Sequence, residues 1–423
     1  MPANFLPSWA SRLSSTRMRG RVSAVAGALL LSLVAIAFAR LGEVAQNQFI
    51  QLARVSPYAP LFVTPLVFAM VVYLTRRWCP AARGSGIPQV MAAGHHPETA
   101  SRSRLLSLPT AAAKFAGTLA MLGAGGAVGR EGPTVQISAA IMVAVQRWLR
   151  VPVTAGVIIA GGAAGVAAAF NTPLAGVAFA IEELASAFEQ KVAIFVMAAV
   201  MISGLASLGL SGDYVYFGAM QQALPIRSML VVAPVAGVIG GLAGGLFSRA
   251  LITMAWSRLR WVVAARSRPV LFATLSGLVV AVLGVASGGL SWGTGYETTR
   301  QLLSGADVPV AFGPVRFFAT LATALSGAPG GIFAPSLSVG AGLGQILTVL
   351  FPGESAGAVV LLGMIGYFTG VVRAPLTASI IMMEMTADRT MILPLFATAL
   401  IADWVSSLVC RRKLYHTLAK QFR

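Results

Sequence analysis

Arg130 and Glu131 are the only charged residues between positions 115 and 146. They sit in GREGP (129–133), flanked by Gly129 and Gly132 and followed by Pro133. Two other segments share this pattern: GSGIP (84–88), made of Gly84, Ser85, Gly86, Ile87 and Pro88, and GIFAP (331–335), made of Gly331, Ile332, Phe333, Ala334 and Pro335. In each, the proline leads into a helical pattern, QVMAAG, TVQISAAIMVAV or SLSVGAGLGQIL, and proline is favoured at the first helical position. The glycines before it let backbone N–H groups approach a bound ion. A helix N-terminus carries roughly half a positive charge and unpaired N–H donors, which makes it an anion site. Three of them converging would hold a small anion without a formal cation. A permeation site needs that compromise, because binding must admit the ion and still release it.

Glu131 fits the same chemistry. Where anions are attracted, a carboxylate competes for the anion's place: ionised it plugs the path, and protonated it is displaced. An ionisable group within a membrane segment marks function by default. The competing reading, a structural pair of Arg130 with Glu131, is weaker because adjacent side chains point apart on a helix.

Such segments need a membrane around them, and the composition supplies one. The 423 residues are 57% hydrophobic and 10% charged, with a mean hydropathy of +0.80. Soluble domains carry about 25% charged residues. Charge-free stretches run over 151–181, 192–212, 228–248, 269–296 and 317–353, long enough for helices of about 20 apolar residues. The 45 glycines and 22 prolines suit close helix packing and broken helices whose freed backbone groups line protein or water.

The net charge of +18 does not point to nucleic acid. The cations lie in short tracts beside apolar spans, as topology signals do: Arg12, Arg17, Arg19 and Arg21; Arg76, Arg77 and Arg83; Arg258, Arg260, Arg266 and Arg268; Arg411, Arg412 and Lys413. The run VSAVAGALLLSLVAIAFA has the look of a cleavable signal, but its helical pattern continues past Arg40 and predicts an uncleaved first span. Cys79 and Cys410 form no disulfide framework or metal cluster; each lies beside a basic, cytoplasmic tract where thiols stay reduced. His95 and His96 lack ligand spacing and predict a solvated loop. The glycine-rich GGLAGGLFSRA (240–250) lacks the lysine and hydroxyl residue of a phosphate loop and reads as helix-packing glycine. A membrane-embedded enzyme finds no Ser/His/Asp set and no metal-ligand cluster, so the chain is read as no enzyme.

The chain also repeats itself. Shifted by 202 residues, KFAGTLA (114–120) falls on RFFATLA (316–322), Gly129 on Gly331, Pro133 on Pro335, Gly161 on Gly363, Pro173 on Pro375 and Glu182 on Glu384. Two halves follow, 22–225 and 226–412, between a basic cytoplasmic N-terminus (1–21) and a cytoplasmic-side C-terminal helix (413–423). The basic tracts at 12–21 and 76–83 have no cationic counterpart in the second half, and the arginines at 258–268 have none in the first. Basic residues mark cytoplasmic ends, so equivalent ends face opposite sides. An inverted repeat of this kind places its substrate site near the midplane, where broken helices meet.

GSGIP, GREGP, GIFAP, AAFNTPLAG…IEE and GAPGGIFAP together resemble the CLC family of chloride channels and chloride/proton antiporters, over about 22–423. That resemblance implies an all-α integral membrane protein, with about eighteen helices of uneven length in two inverted halves. It implies a homodimer with one pathway per subunit in a bacterial inner membrane, exchanging chloride for protons with no cofactor and no metal. The Ser85 hydroxyl, the backbone amides of Ile332 and Phe333, and Tyr415 at the inner end would bind chloride. Glu131 would be the external gate and Glu183, the second acid of IEE, the internal proton-transfer group. On residue chemistry alone Glu183 is equally a helix-end carboxylate paired with Lys191.

Departures and rivals follow. Gln89 and Met91 stand where several antiporters of the family have acids, which bears on internal proton access. A passive channel often lacks an acid at the place of Glu183, the fluoride-exporting branch departs from the GREGP and tyrosine patterns, and a nitrate exchanger carries proline in place of Ser85. A chloride/proton antiporter is therefore the expectation.

Overall fold

The computed structural model describes residues 16–95, 97, 104–184, 190–212 and 214–422. The first fifteen residues with Arg12, the neighbouring His96, and the side chains of Arg17 and Lys191 lie outside that description. Among the described residues there are eighteen α-helices and no strand.

Among the described residues, six helices are long and apolar enough to cross a bilayer: α1 (Thr16–Val55), α2 (Pro60–Trp78), α8 (Gln190–Ser211), α9 (Ile226–Trp256), α11 (Pro269–Ala286) and α17 (Ile392–Val409). Helix α1 has 40 residues, about 60 Å at 1.5 Å per residue, twice the hydrocarbon thickness. It continues unbroken past Arg40. Exposed apolar side chains stand along these helices, among them Ile194, Leu205, Leu230, Leu400, Trp404 and Leu408.

The interior is built from shorter pieces: α3 (Ile87–His95), α4 (Leu108–Leu122), α5 (Glu131–Trp148), α6 (Ala155–Phe170), α7 (Pro173–Phe179), α13 (Phe312–Leu325), α14 (Phe333–Thr348), α15 (Ala356–Val372) and α16 (Pro375–Thr386). The remaining helices are α10 (Arg260–Ser267), α12 (Tyr296–Leu303) and α18 (Leu414–Ala419). Two of the charge-free stretches are thereby divided. Residues 151–181 break at Asn171, which takes the left-handed conformation (φ 56°) and caps α6; 317–353 break between α13 and α14. Arg373 ends α15 in the same left-handed conformation (φ 60°), 202 residues after Asn171.

The repeat is visible in the helix boundaries: α5 and α14 start 202 residues apart, as do α7 and α16, and α8 and α17. Helix α9 packs along α15 and α17. A methyl on Gly240 or Gly244 would collide with the backbone of Gly366 and Gly370 on α15. The glycine-rich 240–250 segment is thus a helix-packing surface, as its sequence implied. Cys79 and Cys410 are both free thiols. His95 closes α3 instead of standing in a loop.

Candidate functional site

The three glycine-proline segments meet. Gly129 N–H donates to the Gly331 carbonyl at 2.8 Å and Gly331 N–H donates back at 2.8 Å, an antiparallel bridge between equivalent residues of the two halves. Gly330 N–H donates to the Gly84 carbonyl at 3.1 Å, tying in the third segment. Side chains do not fit between them: a methyl on Gly331 would lie 3.0 Å from Gly129 O, Gly132 N and Pro133 Cδ. Gly86, at φ 108°, holds a backbone conformation open essentially to glycine alone. Helices α3, α5 and α14 start here, at Ile87, Glu131 and Phe333. Each starts one or two residues before its proline rather than at it. The ring still falls in the first turn, where a missing N–H leaves no helical bond unmade.

Glu131 is the first residue of α5 and is fully buried. Its Oε2 accepts the N–H of Ala334, in the first turn of α14, at 3.4 Å. Its Oε1 has no hydrogen-bond partner among the described residues. A carboxylate from one helix start therefore sits on the N–H groups of another, the place an anion would take. Arg130 turns the other way. Its Nη1 donates to Ala39 O at 2.6 Å and to Glu43 Oε1 at 3.0 Å, both on α1. The sequence reading that set aside an Arg130–Glu131 pair agrees with this geometry.

Ser85 Oγ and Tyr415 OH are buried and without hydrogen-bond partners among the described residues. Buried polar groups almost always have a partner, so these two hydroxyls are available to donate to an acceptor that the protein does not supply. Both line a cavity of about 570 Å³ whose wall also includes Arg76, Arg83, Gly331 and Ile332, so it joins the GSGIP and GIFAP segments to the basic tract at 76–83. Phe333, 1% exposed, packs edge-on to Phe368 with ring centroids 4.9 Å apart, and its ring lies 6.2 Å from that of Tyr415. Tyr415 is carried by α18, whose following turn is held by Arg83: its guanidinium lies 4.9 Å over the Phe422 ring and donates to Gln421 Oε1 at 3.4 Å.

Beneath the GSGIP loop lies a cation that the sequence reading did not single out. Lys114 on α4 is wholly buried and donates to Gly84 O at 2.6 Å and Arg83 O at 3.2 Å. Its repeat counterpart, Arg316 on α13, is equally buried and donates to Ser291 O at 2.8 Å, Gly293 O at 3.0 Å and Ser338 Oγ at 3.0 Å. Both lie in the aligned KFAGTLA and RFFATLA blocks, and one cation at one aligned position in two apolar helices was the available signal. Gln89 donates to Ala81 O at 3.1 Å and Arg83 O at 2.6 Å, bracing the same loop, while Met91 is simply buried.

Glu183 lies apart from this cluster, in the wide π-type turn Ala180–Leu184 after α7. Its side chain is fully buried, and neither oxygen has a hydrogen-bond partner among the described residues. Among the described residues, His416 on α18 comes within ion-pair distance, with Nδ1 3.6 Å from Oε1. Glu182 beside it is engaged elsewhere: its oxygens accept the N–H groups of Leu376 (3.1 Å) and Thr377 (2.6 Å), capping α16. Glu384 does the same for α7, accepting from Leu174 at 3.1 Å and Ala175 at 2.7 Å. Neither cap was assigned from sequence, although the two glutamates align at the repeat offset.

A family model described as voltage gated chloride channel matches residues 67–407. The chain belongs to the CLC family. An H(+)/Cl(-) exchange transporter ClcA of Yersinia pestis is 33% identical over 433 positions, covering 95% of this chain and 88% of the relative. One of Salmonella agona is 32% identical, covering 95% and 89%. Among solved structures, a slow cyanobacterial Cl-/H+ antiporter superposes with a TM-score of 0.80 at 25% identity, covering 95% of this chain and 97% of that one. A CLC-type fluoride/proton antiporter shares the fold with a TM-score of 0.78 at 22% identity, covering 96% and 98%. The all-α membrane architecture of this CLC chain is that of the family, and the GSGIP, GREGP and GIFAP segments are its convergence point.

Proposed function

We propose that this CLC protein exchanges chloride for protons across a membrane, as its relatives' names state for them. One observation carries the reading: the carboxylate of Glu131 occupies the N-terminus of α14, the seat of an anion, with one oxygen unpaired. An anion and a proton then act on the same group, because chloride takes the seat when Glu131 is protonated and leaves when the carboxylate returns. Ser85, the amides of Ile332 and Phe333, and Tyr415 are the chloride-binding groups. The orphaned hydroxyls of Ser85 and Tyr415 support that role.

Glu183 is the internal proton-transfer acid. A second buried acid without hydrogen-bond partners favours exchange over passive conduction, since a chloride channel has no use for it. The two halves, 22–225 and 226–412, are inverted repeats; the reciprocal glycine bridge and the reciprocal glutamate caps fit a two-fold relation between them. The protein works as a homodimer with one pathway per subunit, in a bacterial inner membrane, with both termini cytoplasmic. The test is reconstitution in liposomes with an imposed chloride gradient. Protons moving uphill against their own gradient support exchange, and chloride flux without proton movement removes it.

A further inference from the structure

The buried carboxylate of Glu183 needs a route to water, and its surroundings offer one. Its side chain has no exposed surface, whereas that of His416, 3.6 Å away, is 45% exposed. Glu182, the adjacent acid, has both oxygens on the α16 N-terminus and a further hydrogen bond from the Thr377 hydroxyl at 2.7 Å. It is therefore a cap and a poor carrier. Gln89, where several antiporters of the family place an acid, spends its amide on two loop carbonyls. Lys413, within electrostatic reach of Glu183, is a cation that cannot accept a second proton.

We propose that His416 is the proton relay between the aqueous phase and Glu183. This rests on the antiport reading above. Imidazole is suited to the task because its two nitrogens can take and give protons separately, close to neutral pH. Nε2 takes a proton from a hydronium ion at the aqueous side, leaving water, while Nδ1 gives its own to Glu183 Oε1, and a flip of the exposed ring restores the starting tautomer. The imidazole ends neutral, the carboxylate ends as the acid, and only N–H and O–H bonds change. The 3.6 Å separation closes with a small side-chain rotation or one bridging water. The relay is carried on α18, one residue after Tyr415, so the proton and anion routes are served by adjacent residues of one helix.

The experiment measures chloride efflux and chloride-driven proton uptake together, in liposomes at one pH, for the unchanged protein, His416→Gln, His416→Glu and His416→Ala. Glutamine keeps much of the shape and cannot relay; glutamate can. Proton uptake should fall about tenfold or more in His416→Gln, in line with the size of general acid–base effects, and return substantially in His416→Glu. It should also be partly restored in His416→Ala by millimolar imidazole, which a packing role would not respond to. Proton uptake in His416→Gln at the unchanged rate overturns the relay. So does an equal loss in His416→Gln and His416→Glu without imidazole rescue of His416→Ala. Uphill proton movement by the unchanged protein tests antiport separately, so either of these results would leave that reading intact. Its absence in the unchanged protein would overturn both.

Discussion

Glutamine at position 131 keeps the side chain's size and removes its charge. In the structure Glu131 Oε2 accepts one N–H from the first turn of α14, at 3.4 Å from Ala334. A hydrogen bond to a charged acceptor contributes about 1.5–3 kcal/mol and a neutral one about 1, and the N-terminal half-charge of α14 adds roughly 0.3–1 kcal/mol for an anion. Glu131→Gln therefore loses about 1–3 kcal/mol of hold on α14, which moves the competition for the seat by a factor of roughly 5–150 toward chloride. The amide cannot carry a proton either. Glu131→Gln should bind chloride about 5–150-fold more tightly by calorimetry, keep chloride efflux from liposomes, and show no chloride-driven proton movement. Unchanged chloride affinity, or proton pumping retained in Glu131→Gln vesicles, would refute the shared-seat argument.

Other substitutions separate the remaining roles. Glu183→Gln should abolish proton transport while chloride still moves; equal loss of both fluxes in folded protein would return Glu183 to a structural role. Ser85→Pro removes a hydroxyl that would donate to the anion, a bond of about 1.5–3 kcal/mol. It should shift the nitrate-over-chloride flux ratio about tenfold or more; an unchanged ratio would remove Ser85 from the site. Glu182→Ala strips the α16 cap and should cost about 0.5–2 kcal/mol, read as a lower melting temperature in detergent with coupling kept. Gly331→Ala puts a methyl 3.0 Å from three backbone or ring atoms of the GREGP segment, so it should suppress chloride flux; wild-type flux would show that the segments can separate.

The parts of this protein legible in the sequence are those that depend on local chemistry. The GSGIP, GREGP and GIFAP segments announced the helix starts that meet at the proposed anion site, because glycine and proline act on their own backbone. Glu131 was conspicuous because the charge-free run around it made its burial unavoidable. Span counting was less informative: 151–181 looks like one apolar stretch, yet Asn171 turns it into α6 and α7. The groups missed were those that act across the fold. Glu384 caps a helix 210 residues away in sequence, and His416 finds Glu183 only once α18 has folded back. No local pattern encodes either contact, and only the repeat alignment of Lys114 with Arg316 and of Glu182 with Glu384 carried a trace of those groups' importance.

That alignment also separates scaffold from mechanism. Where the two halves agree in residue chemistry, the residues hold backbone: Gly129 with Gly331 in the bridge, Lys114 with Arg316 under loop carbonyls, Glu182 with Glu384 on helix starts. Where they disagree, only one half has the ionisable group: Glu131 aligns with Phe333, and Glu183 with Met385. A duplicated backbone gives two equivalent helix starts facing each other across the bridge. If both carried a carboxylate, the two acids would sit against each other and repel, and no N-terminus would be left for the anion. One acid and one aromatic ring instead give a single movable charge, whose seat is the N-terminus of the helix that begins with the ring. The exchange reading therefore needs the halves to match in their backbone and to differ at Glu131 and Glu183. Converting Phe333 to a second glutamate should close the anion path rather than double it.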